Sequence, residues 1–458
     1  MIINFNIKPE DLKPAIDRMW ALSGAKISSI HQHYDERLGS PVFTMEGKYT
    51  TRGWTEWTQG FQYGSSILQF EATGEQQFLE IGKEGVKGKM APHLTHTGVH
   101  DHGFNNVSTY GNLLRLAEEG TIDIGEWEKE FYRLALKVSG TVQANRWSNI
   151  HGHGGFLYSF NGPQSLFVDT IRSVRILMLS HFMGHHLQGE NDVIISMFER
   201  GLHHIAATAR YNVYYGEGRD SFDEWGRTAH EYLFNVNDGR FRAPNAQQGF
   251  SGFTTWTRGL AWALCGFAEE LEFLQKVPGE MFPEAISKTE IIGKIKKGAQ
   301  ATADFYIKNT SSDGIPLWDT GGPNVHLLED FFGRAADPYN NIEPLDASAA
   351  AIAAQGLVRL ALLLDNKDYL QAGLTTTATL LSDRFLSLND RHQGLLLHSV
   401  YHYPNGWDYI PEGMKVPCGE SSMWGDYHLR ELAILLGRII DKKPLYAFYN
   451  CLPEYKNV

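Results

Sequence analysis

The chain has 458 residues, a net charge of −12, 42% hydrophobic residues and 21% charged residues. That balance supports a large buried core and excludes an intrinsically disordered chain. The negative charge, with no Lys/Arg block, argues against nucleic acid or an anionic membrane as partner, so an anionic ligand must be met by local cations.

The first twenty residues lack a basic segment followed by a continuous apolar run. No signal peptide and no membrane span are therefore expected, and a cytoplasmic setting follows. Three widely spaced cysteines (Cys265, Cys418 and Cys451) form no disulfide framework. The first helix is predicted at residues 9–22, and 27–52 reads as irregular, broken by Gly39, Pro41 and Gly47. Trp54, Trp57 and Phe61 then lead into a helix that ends at Thr73 before Gly74, and a second helix follows at 75–89. The loop at 95–106 carries His96, His100, Asp101 and His102. Helices are predicted at 107–118 and 125–142, then a Gly/His-rich loop at 149–156 that lacks the Lys-Ser/Thr of a phosphate-binding loop. An apolar helix at 165–186 carries Asp169 near its start, and another covers 191–210. Residues 211–250 are mostly loop, with short strands at 232–234 and 240–242.

Thr254 and Thr255 are candidate N-caps for an apolar helix running to Leu274. Helices are predicted at 284–308, 346–364 and 367–386, short strands at 394–398 and 401–403, and a last helix at 421–440. About twelve helices, paired by tight turns, with little strand and no linker or repeat, predict a single domain over residues 1–458. The architecture that fits is an all-α (α/α)6 barrel of six inner and six outer helices, with a few short strands in the loops at the active-site end. An open solenoid is the alternative, but the recurring sequence pattern of a solenoid is absent.

Asp169 stands in an apolar run. Burial raises the pKa of a carboxyl and suits a proton donor, although a helix N-terminus explains an Asp there equally well. Asp101 lies between His100 and His102, and paired carboxylates are the equipment of glycoside-bond chemistry. His151, His153 and the doublets His185-His186 and His203-His204 raise a metal question. No metal-site signature is present and adjacent helical residues diverge, so neither metal nor cofactor is expected. Arg258 and Trp262 are four apart on one helix face, where a guanidinium and an indole near a helix N-terminus can hold a small carboxylate. Ser421 and Ser422 can cap the last helix, with Trp424 and Tyr427 lining the same mouth as Trp262.

Six stretches occur together in order: 57–61, His100 through Phe104, Asp169 on its apolar segment, Gln248-Gly249 with 256–262, 346–354, and Trp424 through Tyr427. This set, spanning about residues 54–437, resembles the unsaturated glucuronyl hydrolases of glycoside hydrolase family 88. The resemblance implies an (α/α)6 barrel acting on oligosaccharides whose non-reducing end is a 4,5-unsaturated uronic acid. It implies hydration of the vinyl ether, with protonation at C4 and water added at C5, and Asp169 as general acid and then base. Asp101 would be its partner. Gln248 would orient substrate or water, Arg258 would bind the uronate carboxylate, and Trp57, Phe104, Trp256 and Trp262 would wall the sugar. His100, His230, Ser421, Ser422 and Trp424 complete the implied substrate site, in a monomer or homodimer.

The chain departs from the family pattern at Gln247, where a His is usual, and in the loop at 149–156. No Ser/Lys pattern for a sulfated leaving sugar is clear at Ser421-Ser422. Two other readings stay open: a sugar isomerase or epimerase of the same barrel shape using His151, His153 and His230, and a non-catalytic sugar-binding protein.

Overall fold

The computed structural model describes residues 1–53 and 56–455. Trp54, read above as leading into the second helix, lies outside the described residues. Twelve helices of seven residues or more make up the described fold: α1 (Lys13–His33), α2 (Gln59–Thr73), α3 (Gln76–Lys89), α4 (Asn112–Glu118), α5 (Glu126–Asn145), α6 (Arg175–Phe182), α7 (Met197–Ala207), α8 (Thr257–Lys276), α9 (Lys288–Lys308), α10 (Ala347–Leu364), α11 (Lys367–Leu380) and α12 (Met423–Ile440). Helix α4 is preceded by a helical turn His102–Asn105 and a π-turn Val107–Gly111, and α6 by a turn Thr170–Ser173.

The even-numbered helices form the inner ring. With their leading turns, each packs on the next, from α2 round to α12, and α12 closes onto α2. The odd-numbered helices lie outside, α1 and α3 on α2, α5 on α6, α9 on α8 and α11 on α10. This is the predicted (α/α)6 barrel. Inner helices are buried on nearly every face, as their all-round apolar composition requires. Helix α10 is apolar and long enough to cross a membrane, but 83% of it is buried as the core of this ring. Two glycines allow the ring to tighten beside the candidate site. A Cβ on Gly60 would lie 2.3 Å from the Asn105 carbonyl oxygen, and one on Gly103 would lie 2.4 Å from that of Ser173.

Short strands decorate the loops: hairpins β1 (Phe43–Met45) with β2 (Lys48–Thr50) and β3 (Trp147–Asn149) with β4 (Gly155–Leu157), and an antiparallel sheet of β5 (Ser165–Phe167), β6 (Glu231–Phe234) and β7 (Phe241–Asn245). Several expected boundaries move. Helix α1 continues to His33, because Ser23, Lys26, Ile27 and Ile30 pack inward and the Lys26 ammonium caps the carbonyls of Asn389 and His392. The helix expected from 165 begins as strand β5, whose pairing with β6 holds the backbone extended up to Asp169. Helix α7 starts at Met197 rather than 191, and α11 stops at Leu380.

The strand expected at 394–398 reduces to single bridges, Leu386 with Leu396 and Leu397 with Ser421, and the one expected at 401–403 is irregular and runs into a 3-10 turn at Tyr403–Asn405. Their amides go to carboxylates instead: Leu395 and Leu396 donate to Asp426, and His402 donates to Asp408 at 2.9 Å. The N-cap of α8 is Trp256, without a side-chain cap. The hydroxyls of Thr254 and Thr255 accept instead from the amides of Ser251 and Thr228 in the preceding loops.

The centre of the barrel is charged as well as apolar. Arg172 donates to Glu269 at 2.8 Å and to Glu431 at 2.6 Å, Arg175 reaches Glu269 at 3.3 Å, and all four are buried. Arg172 also donates to His428, and the Trp262 ring lies over both groups.

Candidate active site

All six inner helices begin at one end of the barrel. Trp57, Asp101, Asp169 and Trp256, which stand immediately before or at the first turns of α2, α4, α6 and α8, line a single pocket there. Asp346, the N-cap of α10, bonds a pocket residue, and Trp424 in the first turn of α12 stacks on Trp57. Six helix N-termini therefore gather their positive dipole ends at the end of the barrel that holds this small pocket, about 40 Å3 in volume. That geometry favours an anionic ligand inside a protein whose overall charge repels one.

Both pocket acids are buried, Asp101 at 5% and Asp169 at 7% exposure. Asp169 makes the closer contacts. Its Oδ2 lies 3.2 Å from His100 Nε2 and its Oδ1 lies 3.9 Å from His230 Nε2. Asp169 Oδ1, on the pocket wall, and His230 Nε2, behind it, are both buried without a hydrogen-bond partner. Asp101 is on the other side of His100, with Oδ1 at 3.9 Å from Nε2. The Phe160 amide donates to His100 Nδ1 at 3.2 Å, and the Gln247 and Gln248 amides donate to His230 Nδ1 at 3.1 and 3.3 Å. An Nδ1 that accepts carries no hydrogen, so both rings are assigned the tautomer with the proton on Nε2, aimed at Asp169.

These contacts change the expected proton distribution. Burial acts to raise Asp169, but the hydrogen bond and charge of His100, together with His230, outweigh it and hold the carboxyl below the usual value. Burial raises Asp101, His100 lowers it and Asp169 raises it, leaving it pushed up to about 6. Burial opposes a charge on His100, while Asp101 and Asp169 favour one strongly enough to raise its pKa. The second ring proton that this favours competes with the Phe160 amide for Nδ1. Burial, chiefly, pushes His230 down to about 3. The raised acid in the free site is thus Asp101, not Asp169 as burial alone predicted. The ligand atoms of His100, Asp101 and Asp169 lie within 4.8 Å of one another and could also hold a metal ion.

A stability consequence follows. The folded state keeps the Asp101 proton up to about 6, whereas the unfolded chain loses it near 3.8. As pH rises through that window the native state is progressively penalised, and the penalty is complete above it. Asp101→Asn is therefore expected to stabilise the protein near neutral pH by roughly 1–3 kcal/mol. Thermal melts checked against acidic buffer should show the gain vanish below the window.

Arg258 lines the pocket but spends most of its donors within the protein. It is 1% exposed and ion-paired with Asp346 at 2.7 Å. Its remaining terminal hydrogens go to the Val400 and Tyr401 carbonyls and to Gln248 Oε1, leaving only Nε without a partner. Its plane lies over Trp256 at 4.6 Å and Trp424 at 4.9 Å. Arg258 thus fixes Gln248, two tryptophans and the 400–401 loop, and its charge is already shared with Asp346. With Gln248 Oε1 engaged, the Gln248 amide NH2 remains for a ligand.

The aromatic wall is built in two layers. Trp57, Trp256 and Trp262 line the pocket. Phe104 packs behind them, at 4.8 Å from Trp262 and 6.2 Å from Trp57, and Trp424 stacks on Trp57 at 4.9 Å. His230 likewise stands behind Asp169. Ser421 and Ser422 do not line the pocket. Ser422 Oγ caps α12 by accepting from the Gly425 amide at 3.1 Å, and Ser421 is buried against the 394–397 segment and Thr44. His151 and His153 are exposed in the β3–β4 turn, and His153 lines a separate, larger cavity on the outer face.

Sequence reading missed Phe160, Gln247 as a lining residue, and the Tyr401–His402–Trp407 loop. His402 is 3% exposed and its Nδ1 has no partner, while the Asn405 amide meets Nε2 at 3.3 Å. Burial and then Arg258 hold it neutral, pushed down to about 4. Its Nδ1–H is thus an open donor beside Arg258. His402→Ala is expected to raise KM about tenfold, with kcat little changed, as one hydrogen bond to an anion is lost. Steady-state kinetics on a substrate that is turned over measures both.

No protein-family profile matches the chain. Among curated proteins, an unsaturated glucuronyl hydrolase of Formosa agariphila is 23% identical over 380 residues, covering 82% of this chain and 78% of that protein. The unsaturated glucuronyl hydrolase of Bacillus sp. strain GL1 is 23% identical over 406 residues, covering 85% and 89%. The chain is a relative of the unsaturated glucuronyl hydrolases. The crystal structure of the Bacillus relative covers 93% of this chain and 97% of its own, with a TM-score of 0.69 at 19% identity. The unsaturated glucuronyl hydrolase of Streptococcus agalactiae, as a variant complexed with dGlcA-GalNAc6S, covers 94% and 93%, with a TM-score of 0.62 at 17% identity. These solved structures share the barrel found here.

Proposed function

We propose that the protein is a hydrolase that removes a 4,5-unsaturated uronic acid from the non-reducing end of an oligosaccharide. The observation that carries this reading is the His100-bridged pair of buried carboxylates, Asp101 and Asp169, set in an aromatic pocket at the positive ends of six helices. Kinship with enzymes of that name supports it. In the bound state the substrate carboxylate and the exclusion of water both disfavour charge on Asp169, so its proton affinity rises. The three groups around His100 share their protons as one coupled system, with Asp101 the readiest source.

Asp169 then delivers a proton to C4 of the double bond. Positive charge develops at C5 and the ring oxygen, and the stacked tryptophans and neighbouring carboxylate stabilise it. The resulting Asp169 carboxylate accepts a proton from water as the water oxygen bonds to C5. The hemiketal product opens and expels the leaving sugar. His100 holds Asp169 in register through its Nε2 hydrogen, and His230 faces the other carboxylate oxygen from 3.9 Å. His402 Nδ1–H and the Gln248 NH2 take the uronate carboxylate, with Arg258 fixing both neighbours. The three buried free thiols support a reducing, cytoplasmic setting for this chemistry.

The test is incubation with an unsaturated uronyl disaccharide while following ultraviolet absorbance of the C4–C5 double bond. Loss of absorbance with release of the second sugar is expected. Unchanged absorbance across a panel of polysaccharide-lyase products would refute the reading. One observation favours a second assignment within it. Asp101 holds its proton to about 6 and Asp169 does not, which would make Asp101 the donor and Asp169 the base for water. An Asp101→Asn variant that keeps near-wild-type turnover would exclude that exchange of roles.

A further inference from the structure

Helix α5 carries an apolar row that the barrel does not use. Its inner face packs through Tyr132, Ala135, Leu136, Ser139 and Gly140. On its outer face Trp127 is 84% exposed, Phe131 42% and Leu134 58%, and half-buried Val138 continues the row. Trp127 is the most exposed large hydrophobic side chain among the described residues. The intervals of four, three and four residues are those of a coiled-coil seam, and they put all four side chains on one face. Scattered exposed apolar residues are ordinary, but a continuous row ending in a solvent-exposed tryptophan marks a contact surface.

The charges beside the row say what covers it. Glu126, Glu128 and Glu130 cluster at the start of the helix, and Arg133 and Lys137 follow. Glu126 has only a 3.3 Å contact with Lys129 at a position 80% exposed. Among the described residues Lys137 has no carboxylate partner. Glu128 is already paired with Lys83, and Arg133 with Glu130 and Glu118, so Glu126 and Lys137 are the charges this face offers. An acid at one end of the row and a base toward the other are complementary when two copies run antiparallel. A two-fold axis near Phe131 lays Trp127 of one copy on Leu134 of the other and brings Lys137 opposite Glu126. Two-fold symmetry makes each of these contacts twice.

We propose that α5 is a homodimer interface, in which two copies of the chain pair antiparallel through Trp127, Phe131, Leu134 and Val138. No α5 residue lines the candidate active site, so pairing leaves that pocket open. The proposal stands apart from the functional reading.

Sedimentation equilibrium over a dilution series tests it, with thermal melting as the check on folding. The wild-type chain is expected to dimerise and to dissociate on dilution. The double variant Trp127→Glu, Leu134→Glu should be monomeric and still melt cooperatively, at the temperature of wild type diluted to monomer. Lys137→Glu alone should weaken the dimer about tenfold, and adding Glu126→Lys in the same chain should restore it, because both ends of the pairing are then exchanged. A wild-type chain that stays monomeric at every concentration would overturn the proposal. So would a Trp127→Glu, Leu134→Glu dimer as tight as wild type, or a charge exchange that fails to restore pairing.

Discussion

Asp169→Asn should lower turnover of an unsaturated uronide by about a thousandfold or more, with little change in KM. The amide is isosteric with the carboxyl, and its oxygen can still accept the His100 Nε2 hydrogen at the 3.2 Å separation seen here. What it loses is the exchangeable acid proton at C4 and the basic carboxylate that follows. The variant should therefore bind substrate and hold it. Single-turnover absorbance measurements together with equilibrium binding separate the two effects. Near-wild-type turnover would remove Asp169 from the chemistry. A matching loss of binding would assign it a positioning role instead.

The second large effect concerns stability. Arg258→Met leaves Asp346 charged, buried and without its cation, and strips donors from the Val400 and Tyr401 carbonyls. Breaking a buried pair by removing one partner costs about 3–5 kcal/mol. Asp346 is also the N-cap of α10, accepting from the Ser348 and Ala349 amides, so the disturbance reaches the start of an inner helix. Chemical denaturation should show a clear loss. The double variant Arg258→Met, Asp346→Asn should recover part of it, because the uncompensated charge is gone while the amide side chain can still cap. If the single and double variants unfold alike, the Arg258–Asp346 pair is not what holds this corner.

The barrel was legible because its signals are local. Inner helices are apolar all round, Gly74 stops α2 in a left-handed turn, and Ser422 caps α12. The carboxylates were legible because each sits in an unusual neighbourhood, Asp169 among apolar residues and Asp101 between two histidines. The His402 loop was not, because residues 401–407 carry no periodicity and are held by Asp408, Arg258 and Arg52 from elsewhere in the chain. Ser421 and Ser422 misled for the converse reason. A hydroxyl pair before a helix reads the same whether it caps the helix or meets a sugar, and only tertiary contacts separate the two. The proton distribution was equally out of reach. Burial of Asp169 could be read from its neighbours in sequence, but the two imidazoles that reverse its effect come from distant segments.

The charged centre of the barrel bears on how such a protein can change over generations. Arg172, Arg175, Glu269 and Glu431 neutralise one another out of reach of water. Any one of them replaced alone strands an opposite charge, so a viable path must alter two positions together or pass through a badly weakened intermediate. The floor beneath Trp262 is therefore nearly closed to stepwise drift. The exposed loops at the mouth away from Arg258 and His402 carry no such constraint. Substitutions accepted one at a time should collect there, which lets the choice of leaving sugar wander while the apparatus around Asp169 stays in place.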